Sequence, residues 1–139
     1  MPYKFLPHTA DAMFKVEAKS IEQLFLDSAK ALNAIQVNLK TLEKKIKKEI
    51  TLKNENLEML LFDFLQELVF IKDTNQLLFK DFKIKIEKNK DYKLFAQCYG
   101  DKIKPEKQEL LTDAKAITLE NFRLWKENGL WKATVIVDV

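Results

Sequence analysis

Cysteine, histidine, arginine and glycine are scarce in this sequence, and each shortage excludes a class of functional site. The 139 residues include one cysteine, one histidine and two glycines. A single cysteine, Cys98, excludes an internal disulfide and a cysteine-based zinc site. Its place in an apolar strand pattern predicts a small buried hydrophobic residue. Two glycines cannot build a glycine-rich phosphate-binding loop, and one histidine cannot supply a site that needs several imidazoles.

Long apolar runs and a strong charge excess are missing as well. No stretch is apolar for long enough to predict a membrane span, and the N-terminus lacks the basic-then-apolar plan of a signal peptide. We therefore expect a cytoplasmic protein. The chain has 24 basic and 21 acidic residues, a net charge of +3. That excess is too small to indicate nucleic acid as a direct partner.

The length and the hydrophobic periodicity predict one α+β domain over residues 1–139. The predicted order is β-β-α-β-α-β-β-β-β, with two helices packed on a largely antiparallel or mixed sheet. Ser20 and Gln23 have the spacing of a capping box at the start of the first helix, and Asn128-Gly129 marks a tight hairpin turn. The helices are predicted at 20–36 and 56–73, and the strands at 3–6, 12–18, 44–52, 79–87, 92–99, 116–125 and 130–139.

The strand at 44–52 has an apolar face and a lysine-rich face. Lysines on an exposed sheet face usually keep a strand soluble and block edge-to-edge pairing. A nucleic-acid surface is the alternative, but no aromatic residue is interleaved with these lysines, as base stacking requires. The lysine-rich segments 45–53 and 80–88 therefore indicate an RNA-binding module only weakly.

The stretch PHTAD near the N-terminus contains His8 and Asp11 and is either a polar turn or half of a site. The other half would be Asp138, at the end of a last strand that is apolar on both faces, as a central strand is. An acidic residue there is costly unless it is paired or bound to a cation. If the last strand pairs antiparallel with the strand that begins at Ala12, then Asp11, Asp138 and the carboxylate of Val139 converge near His8. Grouped carboxylates repel one another, and a hard divalent cation such as calcium, magnesium or manganese relieves that repulsion.

Five segments in register resemble the archease family. They are HTAD near the N-terminus, SIEQLFLDSAKAL, LLFDFLQELVF in mid-chain, KAIT at 115–118 and the C-terminal VIVDV. The resemblance spans nearly the whole chain. It implies an accessory protein, with no catalytic residues of its own, that acts on the RtcB-type RNA ligase of tRNA splicing and RNA repair. Archeases promote guanylylation of this GTP-dependent ligase and so support multiple turnover.

The resemblance also implies a metal site formed by Asp11, Asp138 and Val139, with a divalent cation as cofactor. His8 would either orient Asp11 by a hydrogen bond or have only a structural role in the turn. The expected partner is the ligase, with RNA contacted only indirectly, no membrane contact and a monomer in isolation. A chaperone-like role toward other clients stays open. Archeases often carry histidines at the positions of Gln108 and Glu120, so any role of those imidazoles is in question here.

Two other functions remain open from the residues alone. The first is a small metal-dependent phosphoester hydrolase that uses the same carboxylates. It would have to work with Arg123 as its only arginine. The second is the RNA-binding module on the lysine-rich segments, whose affinity would fall steeply with salt and would not depend on Asp11.

Overall fold

The computed structural model describes residues 3–6 and 11–139, which form two antiparallel sheets and two long helices. The helices are α1 (Ile21–Gln36) and α2 (Leu57–Asn75). The strands are β1 (Tyr3–Leu6), β2 (Asp11–Ala18), β3 (Ile46–Asn54), β4 (Leu77–Lys88), β5 (Tyr92–Lys102), β6 (Ala116–Ile117), β7 (Arg123–Glu127) and β8 (Leu130–Asp138). The predicted α+β class is confirmed.

The first sheet has five strands, and β8 lies at its centre. Strand β2 pairs with β8 along one edge, and β1 lies outside β2. Strands β6 and β7 both pair with the other edge of β8, one after the other. Because β8 is bonded on both edges, Val135, Ile136 and Val137 are all fully buried. This confirms the central position predicted from the apolar character of both faces.

The second sheet has three strands in the order β3-β5-β4. Both helices contact both sheets, and one hydrophobic cluster joins the layers. Its largest fully buried side chains include four phenylalanines: Phe14, Phe25, Phe64 and Phe79. Cys98, as predicted, is fully buried in β5. Burial raises the pKa of its thiol to about 12, which makes the thiolate inaccessible at neutral pH.

The hydrogen bonds at the start of α1 test the predicted capping box. The backbone N–H of Gln23 donates to the Ser20 hydroxyl, which is the first half of the predicted capping box. The Gln23 side chain, however, donates to the Asp27 carboxylate at 2.9 Å. Helix α2 begins after Asn56, whose side chain accepts from Met59, and it ends at Gln76 in the left-handed conformation.

The predicted strand at 116–125 is two strands separated by a turn. Asn121 lies in the left-handed region, at a φ of 54°, and the N–H of Phe122 donates back to the carbonyl of Leu119. Extended pairing cannot pass through that conformation. Phe122 instead turns into the core, edge-on to Phe62. The hairpin at Asn128-Gly129 is confirmed, since both residues have positive φ as a primed turn requires.

No helix among residues 3–6 and 11–139 is long and apolar enough to cross a membrane.

At Gly100 the backbones of β4 and β5 leave no room for a side chain. A Cβ there would lie 1.8 Å from the Leu78 carbonyl oxygen and 2.7 Å from the Phe79 Cα, at the point where the β4–β5 register shifts. We predict that Gly100→Ala destabilises the fold by at least about 2 kcal/mol, because a backbone contact cannot swing aside as a side chain can.

Urea unfolding followed by circular dichroism measures this effect. The matched control is Gly129→Asn, because Asn accepts positive φ and nothing lies within 4 Å of that site. It should change the free energy of unfolding by less than about 1 kcal/mol. Equal effects of the two substitutions would contradict the assignment.

Asp27, on α1, has a carboxyl group buried in the core of the protein. Its ionisation makes the free energy of folding depend on pH. Its side chain is 3 % exposed, and its second oxygen has no hydrogen-bond partner among the described residues. Burial raises the pKa of this carboxyl above its ordinary value, while Gln23 and Lys30 oppose the shift. A raised pKa means that the folded state binds the proton more tightly than the unfolded state.

Asp27 therefore favours folding when protonated, and this contribution is lost as pH rises through its folded pKa. We predict that Asp27→Asn raises the melting temperature at pH 7, and that its advantage over the wild type shrinks toward pH 3. Thermal unfolding across that range measures the difference. Glu43→Gln, at an exposed carboxylate, should show no such trend, and an Asp27→Asn advantage independent of pH would refute the assignment.

Candidate metal centre

Asp11 and Asp138 are directly opposite each other at the end of the β2–β8 ladder. The register runs antiparallel from this pair through Met13 and Ile136 to Ala18 and Trp131. The antiparallel pairing that the sequence only suggested is therefore present. Directly opposed residues project to the same face, with Cβ atoms typically ~4.5–5.5 Å apart. Two carboxylates from opposite ends of the chain are brought together.

This pair lies on the face of the sheet that turns away from the main core cluster. Alternation along β2 sends Phe14 and Val16 into the core, and alternation along β8 sends Val135 and Val137 there. Asp11 and Asp138 belong to the other set of positions, and both side chains are half-buried. Like charges that face each other across a ladder destabilise the pairing.

Strand β6 fixes the other side of Asp138. Ala116 is the register partner of Asp138, and the N–H of Lys115 donates to the Asp138 carbonyl at 2.7 Å. The side-chain oxygen of Gln66, on α2, accepts from the N–H of Ile117 at 2.9 Å. Gln66 is not among the residues that the sequence singled out. The structure shows that it ties α2 to the strand beside Asp138.

The loop that enters β6 is held by a buried lysine. Lys72, in the last turn of α2, is 5 % exposed. Its ammonium donates to the Ala114 carbonyl at 2.9 Å and forms ion pairs with Asp73 and Asp113. A buried cation with these partners fixes the chain immediately before Lys115. The surroundings of Asp138 are thus anchored to α2 at two points.

His8 lies outside the described residues, together with the rest of 7–10, so its predicted place beside Asp11 stays a prediction. Within residues 3–6 and 11–139, no group of three or more His, Cys, Asp or Glu side chains is arranged to hold a metal ion. The described part of the chain therefore offers two side-chain carboxylates, Asp11 and Asp138. A third oxygen from Val139 would come from its main chain.

Gln108 and Glu120 occupy the positions where archeases often carry histidine, and they differ in their surroundings. Gln108 is buried in the long loop, where its oxygen accepts from the N–H of Lys104 and its amide donates to the Lys102 carbonyl. It organises that loop. Glu120 is exposed in the turn between β6 and β7.

The single arginine is poorly placed to assist the carboxylate pair. Arg123 pairs with Thr134, four residues along β8 from Asp138, which corresponds to about 13 Å. Its guanidinium lies over the Trp125 ring, 4.4 Å from the centroid. Arginine beside the metal is one way to stabilise the transition-state charge of phosphoryl transfer, and Arg123 does not supply it in this arrangement.

Comparison with known proteins identifies the family. The model of the Archease protein family (MTH1598/TM1083) matches residues 3–139. Protein archease of Pyrococcus abyssi is 42% identical over 134 residues, covering 95% of this chain and 94% of that protein. Protein archease of Methanopyrus kandleri is 34% identical over 140 residues, covering 100% of both chains.

Solved structures agree in fold. The solution structure of Methanobacterium thermoautotrophicum protein 1598 superposes with a TM-score of 0.88 at 33% identity, covering 99% of each chain. The crystal structure of an archease from Thermotoga maritima, described as a possible chaperone, superposes with a TM-score of 0.64 at 20% identity. It covers 98% of this chain and 96% of that one. With a family match over nearly its whole length, the chain belongs to the archease family.

Proposed function

We propose that this protein is a non-catalytic, metal-binding activator of a GTP-dependent RtcB-type RNA ligase. It would promote guanylylation of the ligase and multiple turnover in tRNA splicing and RNA repair, in the cytoplasm. The observation that carries the proposal is the pairing of Asp11 with Asp138 across β2 and β8. The partner and the reaction in this proposal are those that the resemblance to the archease family implies.

The donor chemistry of the pair suits a hard divalent cation. Asp11 and Asp138 supply carboxylate oxygens, and Val139 would add a main-chain oxygen. Calcium, magnesium and manganese prefer such all-oxygen sets, whereas zinc favours nitrogen and sulfur. Cation binding would also offset the repulsion between two carboxylates held opposite each other. We propose Asp11, Asp138 and Val139 as the ligands and leave the choice among the three cations to experiment.

The position of the pair suits an accessory role. Both carboxylates are half-buried at the end of a ladder, so one side of a bound cation would face outward, toward a partner protein. The surrounding strands are held by Gln66 and Lys72, which keeps the two carboxylates in place before the partner arrives. Such a site can present a cation near the ligase nucleotide site or stabilise a ligase form that accepts guanylate.

The test is guanylylation and turnover of an RtcB-type ligase with GTP and a divalent cation. The ligase is assayed alone, with the wild type, and with Asp11→Asn or Asp138→Asn. We predict that the wild type converts stoichiometric ligation into multiple turnover. Each variant should lose at least about tenfold of the stimulation, because one of the two negatively charged ligands becomes a neutral amide. Glu43→Gln, at an exposed carboxylate before β3, is the matched control and should stimulate fully.

Circular dichroism confirms that each variant is folded before the assay. Equal stimulation by the wild type and both aspartate variants would refute the metal mechanism while keeping the ligase as partner. No stimulation by the folded wild type would refute the proposed function itself. Hydrolysis of a phosphodiester by the protein alone, lost in Asp11→Asn, would instead show that it is an enzyme.

A further inference from the structure

The three-stranded sheet has one open face, which we call the lysine face. Alternation sends Ile50, Phe82 and Leu94 toward the helices and the core. The intervening side chains project the other way, and within 47–53, 83–87 and 93–99 they are exposed or half-buried. Helices α1 and α2 pack on the core side of these strands, so the residues of the opposite side meet solvent within the part of the chain that the structure describes.

Two aromatic rings lie along the middle of the lysine face. Phe95 and Tyr99 belong to β5, the central strand, and both alternate to the open side. They are four residues apart, which separates them by about 13 Å along the strand. No aromatic residue is interleaved with the lysines of 44–52 in the sequence, because Phe95 and Tyr99 belong to a different strand. Strand pairing inserts them between the two lysine-rich strands.

Lysines lie beside both rings, and the acidic Asp81 on β4 is the second register partner of Tyr99. Lys47 on β3 is the register partner of Tyr99, and Lys85 on β4 is the register partner of Phe95. The ammonium of Lys93 lies 5.1 Å from the centroid of the Phe95 ring, and that of Lys83 lies 5.9 Å from the centroid of Tyr99. Cations at these distances are attracted to the ring faces. Both rings are half-buried. Each has a positive charge on a flexible lysine side chain beside it.

The three strands concentrate the positive charge of the protein. They contain nine lysines and four acidic residues, an excess of +5, whereas the whole chain has a net charge of only +3. The remainder of the protein is thus slightly acidic. On the face itself, Glu49 and Glu87 lie 3.6 Å from Lys47 and 3.2 Å from Lys85. Exposed pairs of this kind contribute little stability, so the lysines can exchange these partners for phosphates.

We propose that the lysine face binds single-stranded nucleic acid. Phe95 and Tyr99 would stack against two unpaired bases, and Lys47, Lys83 and Lys85 would contact the phosphates on either side. Base stacking on aromatic side chains within a basic groove is the general way in which proteins hold single strands without reading sequence. Paired bases cannot reach the rings, so a duplex should bind more weakly.

This site is separate from the proposed metal centre and needs neither a cation nor the ligase. It differs from the expectation that RNA is contacted only indirectly. Within the family function, such a face would let an accessory protein hold a broken RNA strand.

The test is fluorescence anisotropy with a fluorescein-labelled single-stranded RNA of about twelve nucleotides, in EDTA, between 50 and 200 mM salt. The same sequence as DNA and as a duplex completes the set of probes. We expect the single strands to bind and the duplex to bind more weakly.

The double variant Phe95→Leu and Tyr99→Leu should weaken binding at least about tenfold, because leucine keeps the apolar contact but cannot stack as a ring does. Phe5→Leu with Phe70→Leu, at two exposed phenylalanines elsewhere, is the matched control and should bind as the wild type does.

A second comparison tests the lysines with two double variants that have the same net charge as each other. Lys83→Gln with Lys85→Gln should weaken binding and reduce the slope of log affinity against log salt by about 1.4, because each lysine–phosphate pair contributes ~0.7 to that slope on a single strand. Lys19→Gln with Lys107→Gln removes the same charge from exposed positions outside the sheet and should leave both quantities nearly unchanged. Inorganic polyphosphate, which has no bases, should compete poorly.

Several results would overturn the proposal. They are the absence of RNA binding at 50 mM salt, full affinity in the Phe95 and Tyr99 double variant, and equal losses in the two lysine pairs. If the lysine-face variants keep RNA affinity but lose ligase stimulation, the face docks a protein and the proposal is wrong. Asp138→Asn should bind RNA normally, so failure of the metal centre and failure of the lysine face are distinguishable.

Discussion

The antiparallel pairing of β2 with β8 is the constraint on which the rest of the site depends. It places Asp11 opposite Asp138, although the two residues come from opposite ends of the chain. Buried apolar residues on the core side of both strands fix the register, because a shift by one position would turn Phe14 and Val135 away from the core. The core thus holds two acidic residues opposite each other at the end of this ladder.

The surrounding structure reinforces this arrangement. Strand β6 closes the free edge of β8 beside Asp138, and Gln66 on α2 bonds to that strand. Lys72 fixes the loop that leads into it. None of these groups offers an obvious chemical function, yet each limits the movement of Asp138. Preorganisation of this kind is what a ligand pair requires when its partner supplies the reaction.

The sequence predicted those features that depend on local periodicity. Both helices and the central character of β8 were correct, because a 3.6-residue or two-residue repeat shows which side of an element is buried. The division of residues 116–125 was missed, because nothing in the apolar pattern reveals the left-handed Asn121. Two sheets rather than one were missed for a related reason, since periodicity identifies a strand but not its neighbours.

Features that arise from strand pairing were the hardest to foresee. The Asp11–Asp138 pair could be inferred only by supposing the right partner for the last strand. Phe95 and Tyr99 were not connected with the lysines of β3, since β3 is far from β5 along the chain and the two strands meet only in the sheet. The bond from Gln66 to Ile117 gave no signal in the sequence, because a half-buried glutamine on a helix is ordinarily solvated.

The most direct test of the central claim is thermal unfolding of the wild type and Asp138→Asn, in EDTA and with calcium, magnesium or manganese. In EDTA, the account predicts a higher melting temperature for Asp138→Asn, because the substitution removes the repulsion with Asp11. With the cation at 100 times its dissociation constant, the wild type should gain about 2.7 kcal/mol and the variant little. If none of the three cations stabilises the wild type, or if both proteins gain equally, Asp11 and Asp138 do not form a metal site.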